Sequence, residues 1–173
     1  MAELDVGAQV GGVPAGHDLA DRHDDALVGE LLAERLGCGF SDADDFHPAA
    51  NIAKMAAGHP LNDDDRRPWL ETIGLWLGEH CGDGGVMSCS ALKYQYRVQL
   101  RSHCPGTRFL HLFGTPEVIG ARQASRPGHF MPASLLASQF ETLEPLRPDE
   151  AGTVIDVGQS IDSIVDEYIS RTG

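Results

Sequence analysis

The chain has 173 residues, 42% of them apolar and 23% charged, enough to bury the core of one ordinary globular domain. Its formal net charge of -13 and pI of about 4.8, with no basic stripe, exclude binding to nucleic acid or anionic membrane through an electrostatic footprint. No apolar run is long enough to span a membrane, and the acidic, Gly-rich N-terminus lacks the basic and apolar regions of a signal peptide, so a cytoplasmic location is expected.

Helical and strand signals alternate along the chain. Val28, Leu31, Leu32 and Leu36 share one helix face, and Gly37 is a natural stop. A short strand is expected from about Cys38 to Asp42, then a helix in which Pro48 suits the first turn and which ends near Gly58. A second helix follows Pro68, with Trp69, Ile73, Trp76 and Leu77 as its apolar stripe. Gly85 to Ser90 reads as a buried strand, Leu92, Tyr96 and Leu100 mark a helix, and Thr107 to Phe113 is the clearest strand. A helix over roughly Glu117 to Ser125 leads through a Gly/Pro-containing loop to another starting at Pro132. Thr153 to Val157 is a last strand, and Ile161, Ile164, Val165, Tyr168 and Ile169 stripe the closing helix. Strands alternating with helices imply an α/β domain with a parallel sheet covered on both faces, and no linker or repeat divides it. The four cysteines, Cys38, Cys81, Cys89 and Cys104, have no C-x-x-C spacing and no paired histidines, and read as buried reduced thiols.

The polar residues most open to a functional reading lie between Phe40 and Leu70. Asp42 and Asp44 are two apart at the end of a strand, which would aim both carboxylates the same way, about 6.5–7 Å apart. Ligands of open parallel sheets bind at the carboxyl ends of the strands. One carboxylate could hold a magnesium ion through water while the other accepts a proton from a hydroxyl; equally, Asp44 or Asp45 could cap the following helix. His47 by itself reads as structural or solvated. Asn51 and Lys54 are three apart on a helix and face either a ligand or solvent. Asp63-Asp64-Asp65-Arg66-Arg67 reads as a charged surface turn.

The string Asp42-Ala43-Asp44-Asp45-Phe46-His47-Pro48, followed by Asn51, Lys54-Met55, Gly58, Pro60-Leu61, Asp63, Asp65-Arg66 and Pro68-Trp69-Leu70, resembles the gluconokinase family of P-loop kinases. The resemblance runs on through Cys89-Ser90-Ala91-Leu92-Lys93, Tyr96-Arg97, Arg126, Gly128-His129-Phe130-Met131-Pro132, Ser138-Gln139-Phe140-Glu141 and Leu143-Glu144, about residues 28 to 158. It implies a single kinase domain over residues 1–173, with a three-layer P-loop fold: a parallel sheet of about five strands between helices, and a lid over about residues 122–132. It further implies ATP-dependent phosphorylation of D-gluconate to 6-phospho-D-gluconate with Mg2+, no nucleic-acid or membrane partner, and a homodimer, since the family is often dimeric. Asp44 would contact and deprotonate the attacking hydroxyl, and Asp42 would be the carboxylate on the metal side. Arg66, His47 and Lys54 would bind the gluconate carboxylate and hydroxyls, for which a guanidinium fork is well shaped. Lys93 and Arg97, four apart, would flank the polyol or form a solvated basic stripe with Arg101. Arg122 and Arg126 would clamp the transferring phosphoryl group from the lid, and Gln139 would reach back toward the substrate.

The departures from the family pattern concentrate at the N-terminus. Elsewhere they are small: Ala43 replaces a glycine, and Tyr94 and Val98 replace residues that are usually basic and acidic. No G-x-x-x-x-G-K-[ST] phosphate loop is present; Asp24-Asp25-Ala26 stands where Gly-Lys-[ST] belongs. The nearest formal match, Gly11 to Asp18, keeps Gly11 and Gly16 at the loop's spacing but puts His17 and Asp18 in place of the lysine and hydroxyl. Leu4 to Val13, at the place of the central strand, holds three glycines, an aspartate and a glutamine, so a poor strand is expected there. The break is abrupt near Leu27, which favours a shifted reading frame or start for residues 1–27 over gradual decay. Two alternatives stand beside the kinase reading: a non-catalytic remnant binding a sugar acid through Arg66 and Lys93, and another small-molecule kinase of the shikimate-kinase type.

Overall fold

The structure, a computed structural model, describes residues 4–8, 24–119 and 133–173. In chain order the elements are β1 (Leu4–Ala8), α1 (Asp24–Leu36), β2 (Gly39–Asp42), a 3-10 turn (Ala43–Phe46), α2 (Ala49–Ala56), α3 (Asp63–Glu79), β3 (Gly85–Cys89), α4 (Tyr94–His103), β4 (Thr107–Phe113), α5 (Ala133–Thr142), β5 (Gly152–Asp156) and α6 (Ile161–Thr172). A helical turn at 116–119 runs to the edge of the described residues, so most of the helix expected at Glu117–Ser125 lies outside them.

The strands form one parallel sheet in the order β2-β3-β1-β4-β5. Within the segment expected to be a poor strand, Leu4–Ala8 does fill the centre: Val6 pairs with Met87 on one side and Phe109 on the other. Backbone hydrogen bonds to two neighbours hold a strand whose side chains would not choose one.

Side chains alternate across the sheet and build two cores. Met87 and Phe109 join Trp69, Leu70, Ile73, Leu77 and Leu100 under α3 and α4. Their neighbours Val86 and Leu110 point the other way, into Val28, Leu32, Ile155, Ile164 and Tyr168 under α1 and α6. Gly37 (φ 69°) and Gly58 (φ 79°) end α1 and α2 in the left-handed region, and Cys38 N–H and His59 N–H close back on the carbonyls of Ala33 and Lys54.

Two sequence expectations need correction. α3 starts at Asp63 and not after Pro68, because Asn62 and Asp65 form a capping box: Asp65 N–H donates to Asn62 Oδ1 at 2.9 Å and Asn62 N–H to Asp65 Oδ2 at 2.8 Å. The supposed surface turn is therefore the first turn of a helix. The thiol reading also fails in part. Cys81 and Cys104 form a disulfide, while Cys38 and Cys89 lie outside it. α3 and α4 run side by side in the same direction, so their C-terminal ends bring together two cysteines 23 residues apart, which sequence spacing does not show.

Candidate active site

β2 ends at Asp42, and the chain turns at once into the 3-10 turn, where Asp44 N–H donates to Asp42 Oδ1 at 3.0 Å. Asp44 is therefore not a strand residue, and the spacing of about 6.5–7 Å derived from strand rise does not apply. Asp42 performs the capping considered for Asp44 or Asp45, but for the 3-10 turn; α2 has Pro48 as its N-cap and no side-chain cap. The turn is fastened from below by Trp69, whose indole N–H donates to the Ala43 carbonyl at 2.7 Å. His47 stacks on the same indole, with ring centroids 4.3 Å apart and planes 10° from parallel. Its Nε2 faces Asp44 Oδ1 at 3.7 Å, and its side chain is 3% exposed. Burial, and secondarily the positive charge of Arg66, lower its pKa to about 4, so a neutral imidazole backs the Asp44 carboxylate.

Starting α3 at Asp63 places Arg66 on the same face as Trp69, Leu70, Ile73 and Leu77. The residue is 6% exposed. Nη1 donates to Ser90 at 3.3 Å (Oγ) and 3.4 Å (carbonyl), and the group lies 5.6 Å from the Trp69 ring and 5.8 Å from the Tyr96 ring. It opens onto a cleft of about 510 Å³, lined also by Asp63, Lys93, Tyr96, Ser138 and Gln139. Asp63 joins the two walls: it accepts from Lys93 Nζ at 2.6 Å, from the Tyr96 hydroxyl at 2.5 Å and from Gln95 Nε2 at 3.0 Å. Those donors hold its carboxyl down at about 2, while burial and the Asp63 contact raise the Tyr96 phenol.

Of the residues expected to bind substrate, Arg66, Lys93 and Gln139 line this cleft. Arg97 does not, and its expected contact with the polyol is corrected. Lys93 is the N-cap of α4, and Arg97, one turn in, points to the interior, fully buried. There it meets Glu150 through Nε at 2.6 Å and Nη2 at 2.9 Å, and it caps the carbonyls of Ala91, Leu92, Glu144 and Pro145. Lys54 also lies outside the cleft, paired at 2.5 Å with Asp65, whose carbonyl accepts from Asn51 Nδ2 at 2.9 Å. His47 supports Asp44 from the buried side. Asp63 and Tyr96 are among the cleft residues that sequence reasoning missed; the Asn62-x-x-Asp65 capping signal would have revealed the first. Arg122, Arg126, Gly11, Gly16 and the lid lie outside the described residues.

The donor side differs. Asp25, in the first turn of α1, lies close enough to Asp42 and Asp44 for charge repulsion. Burial first, then those two carboxylates, push its acid well above the usual range. Asp25, Asp42 and Asp44 thus lie near one another beside the carboxyl end of β2, and among the described residues no cluster is arranged to hold a metal ion.

A parallel sheet with this strand order, and a polar cleft beyond the carboxyl ends of β2 and β3, give the chain the fold of the P-loop class of small-molecule kinases. No protein-family model matches the chain. Among known proteins it is similar to a probable gluconokinase of Xenopus tropicalis, 44% identical over 158 residues, 82% of this chain and 83% of that one. It is also 44% identical over 144 residues to the thermosensitive gluconokinase of Escherichia coli K12, covering 82% of this chain and 77% of that one. The crystal structure of a gluconokinase from Sinorhizobium meliloti 1021 superposes with a TM-score of 0.82 at 39% identity, over 98% of this chain and 89% of the other. A shikimate kinase from Bacteroides thetaiotaomicron shares the fold alone, with a TM-score of 0.61 at 14% identity. The chain belongs to the gluconokinase family of P-loop kinases, phosphotransferases with an alcohol acceptor.

Proposed function

We propose that the cleft between α3 and α4 is an acceptor site for D-gluconate, whose phosphorylation at the terminal hydroxyl to 6-phospho-D-gluconate is the reaction this half of the molecule serves. The observation that carries it is Arg66, a buried guanidinium opening onto a polar cleft, held by Ser90, Trp69 and Tyr96. A sugar-acid carboxylate satisfies the fork, and Lys93, Tyr96, Ser138 and Gln139 offer hydrogen bonds to hydroxyls. Asp44, backed by neutral His47, is the group to accept the hydroxyl proton.

ATP with Mg2+ is the donor implied by the kinase relatives. In this polypeptide Asp25 takes the place of the phosphate-binding lysine and Ala26 that of the magnesium-binding hydroxyl. If each lost phosphate donor is worth roughly 3 kcal/mol of transition-state stabilisation, losing two or three costs about four to seven decades of rate. The expectation is therefore gluconate binding with turnover near background. Calorimetry with gluconate and a coupled ATP assay test the two halves separately: absence of binding heat overturns the acceptor site, and robust turnover overturns the account of the donor side.

A further inference from the structure

The cations around the cleft are nearly all committed to carboxylates. Lys93 is paired with Asp63 at 2.6 Å, Lys54 with Asp65 at 2.5 Å, and Arg67 with Asp64 at 3.1 Å. Arg66 is the exception: among the described residues it makes no ion pair, and its guanidinium rests on the neutral carbonyl and hydroxyl of Ser90. Asp63, with its side chain 46% exposed, is held by more than a lysine. Three side chains from the start of α4 converge on its two oxygens, and it lines the wall of the cleft itself.

We propose that Asp63 sets the charge limit of the acceptor site. By pairing with Lys93 within the cleft wall it leaves Arg66 as the cleft cation without a carboxylate ion pair among the described residues, and so selects a monocarboxylate sugar acid over dicarboxylates and over phosphorylated sugar acids. The same carboxylate disfavours the phosphorylated product, which carries more negative charge than the acceptor. This inference rests on the gluconate reading and adds to it a residue that determines specificity. Removing the Asp63 charge frees the Lys93 ammonium. At roughly 6 Å and an effective dielectric of about 20 to 40, one unit of charge changes the affinity for one further anionic group by about tenfold to a hundredfold.

The test is calorimetry with gluconate, glucarate and 6-phosphogluconate on the parent chain, on Asp63→Asn and on Asp63→Ser, each checked for folding by its thermal melt. The parent is expected to prefer gluconate over glucarate. Asp63→Asn keeps the size of the side chain, and both variants should lower the gluconate-to-glucarate preference by about tenfold or more while raising affinity for 6-phosphogluconate. A preference unchanged in both folded variants overturns the charge limit, as does an equal loss of affinity for all three ligands, the mark of a purely structural role. No gluconate heat with the parent chain instead overturns the acceptor site on which the inference rests.

Discussion

Replacing Arg97 by methionine separates a structural arginine from a substrate-binding one. The side chain is fully buried, its partner Glu150 is 3% exposed, and the guanidinium donates six hydrogen bonds, two to Glu150 and four to carbonyls. Burial alone would raise the Glu150 carboxyl, but the Arg97 contact outweighs it and the group is held below its ordinary value. Methionine fills much of the volume and supplies no donor, so Glu150 keeps only the Arg147 N–H at 2.9 Å. Removing one partner of a buried pair costs about 3–5 kcal/mol. In a domain of this size each kcal/mol moves the midpoint by about 2–4 °C, so Tm should fall by about 6–20 °C. The double variant Arg97→Met/Glu150→Met no longer buries a lone charge and should recover about half of that loss. Thermal melts of the four chains of this cycle, with gluconate calorimetry on each folded one, check the prediction. If Arg97→Met melts like its parent but has lost gluconate, the reasoning is refuted and Arg97 touches the ligand.

Three further outcomes are expected. His47 has a folded-state pKa of about 4 against an ordinary 6.5, so the unfolded chain binds its proton more readily. Its contribution is present above about pH 6.5 and is lost as pH falls toward 4, on the order of 3 kcal/mol in all; Tm measured over that window should fall less steeply in His47→Gln, and parallel curves would count against the burial argument. Cys81→Ser opens the disulfide across its 23-residue separation and should lower stability by about 3 kcal/mol, read by urea melts against the oxidised parent; equal melts, or all four cysteines as thiols by mass in the unreduced parent, would reject the bridge. Asn62→Ala removes the capping box of α3 at a cost of about 1 kcal/mol and loosens the first turn that carries Asp63 and Arg66. Gluconate affinity should drop with it, and unchanged melting would show that the cap is not what starts the helix.

Sequence periodicity alone determined the alternation of strands and helices, the parallel sheet and the two helix stops at Gly37 and Gly58, because apolar spacing and left-handed glycines act over a few residues. The long motifs between Phe40 and Leu70 and around Lys93 carried the family, since they match its pattern over many residues. The place of Leu4–Ala8 was decided by tertiary structure: two flanking strands, and not its own composition, hold it in the centre of the sheet. The same is true of the basic residues. Lys93 and Arg97 look alike on a helical wheel, but packing against Glu150 and four carbonyls draws Arg97 into the core, while Lys93 at the N-cap stays in the cleft wall. Arg66 looked like part of a charged turn until the Asn62 cap extended the helix and rotated it onto the buried face. Local patterning sets which elements form; which charges are paired, buried or left for a ligand depends on contacts between residues 30 to 53 positions apart, and only the folded chain brings those together.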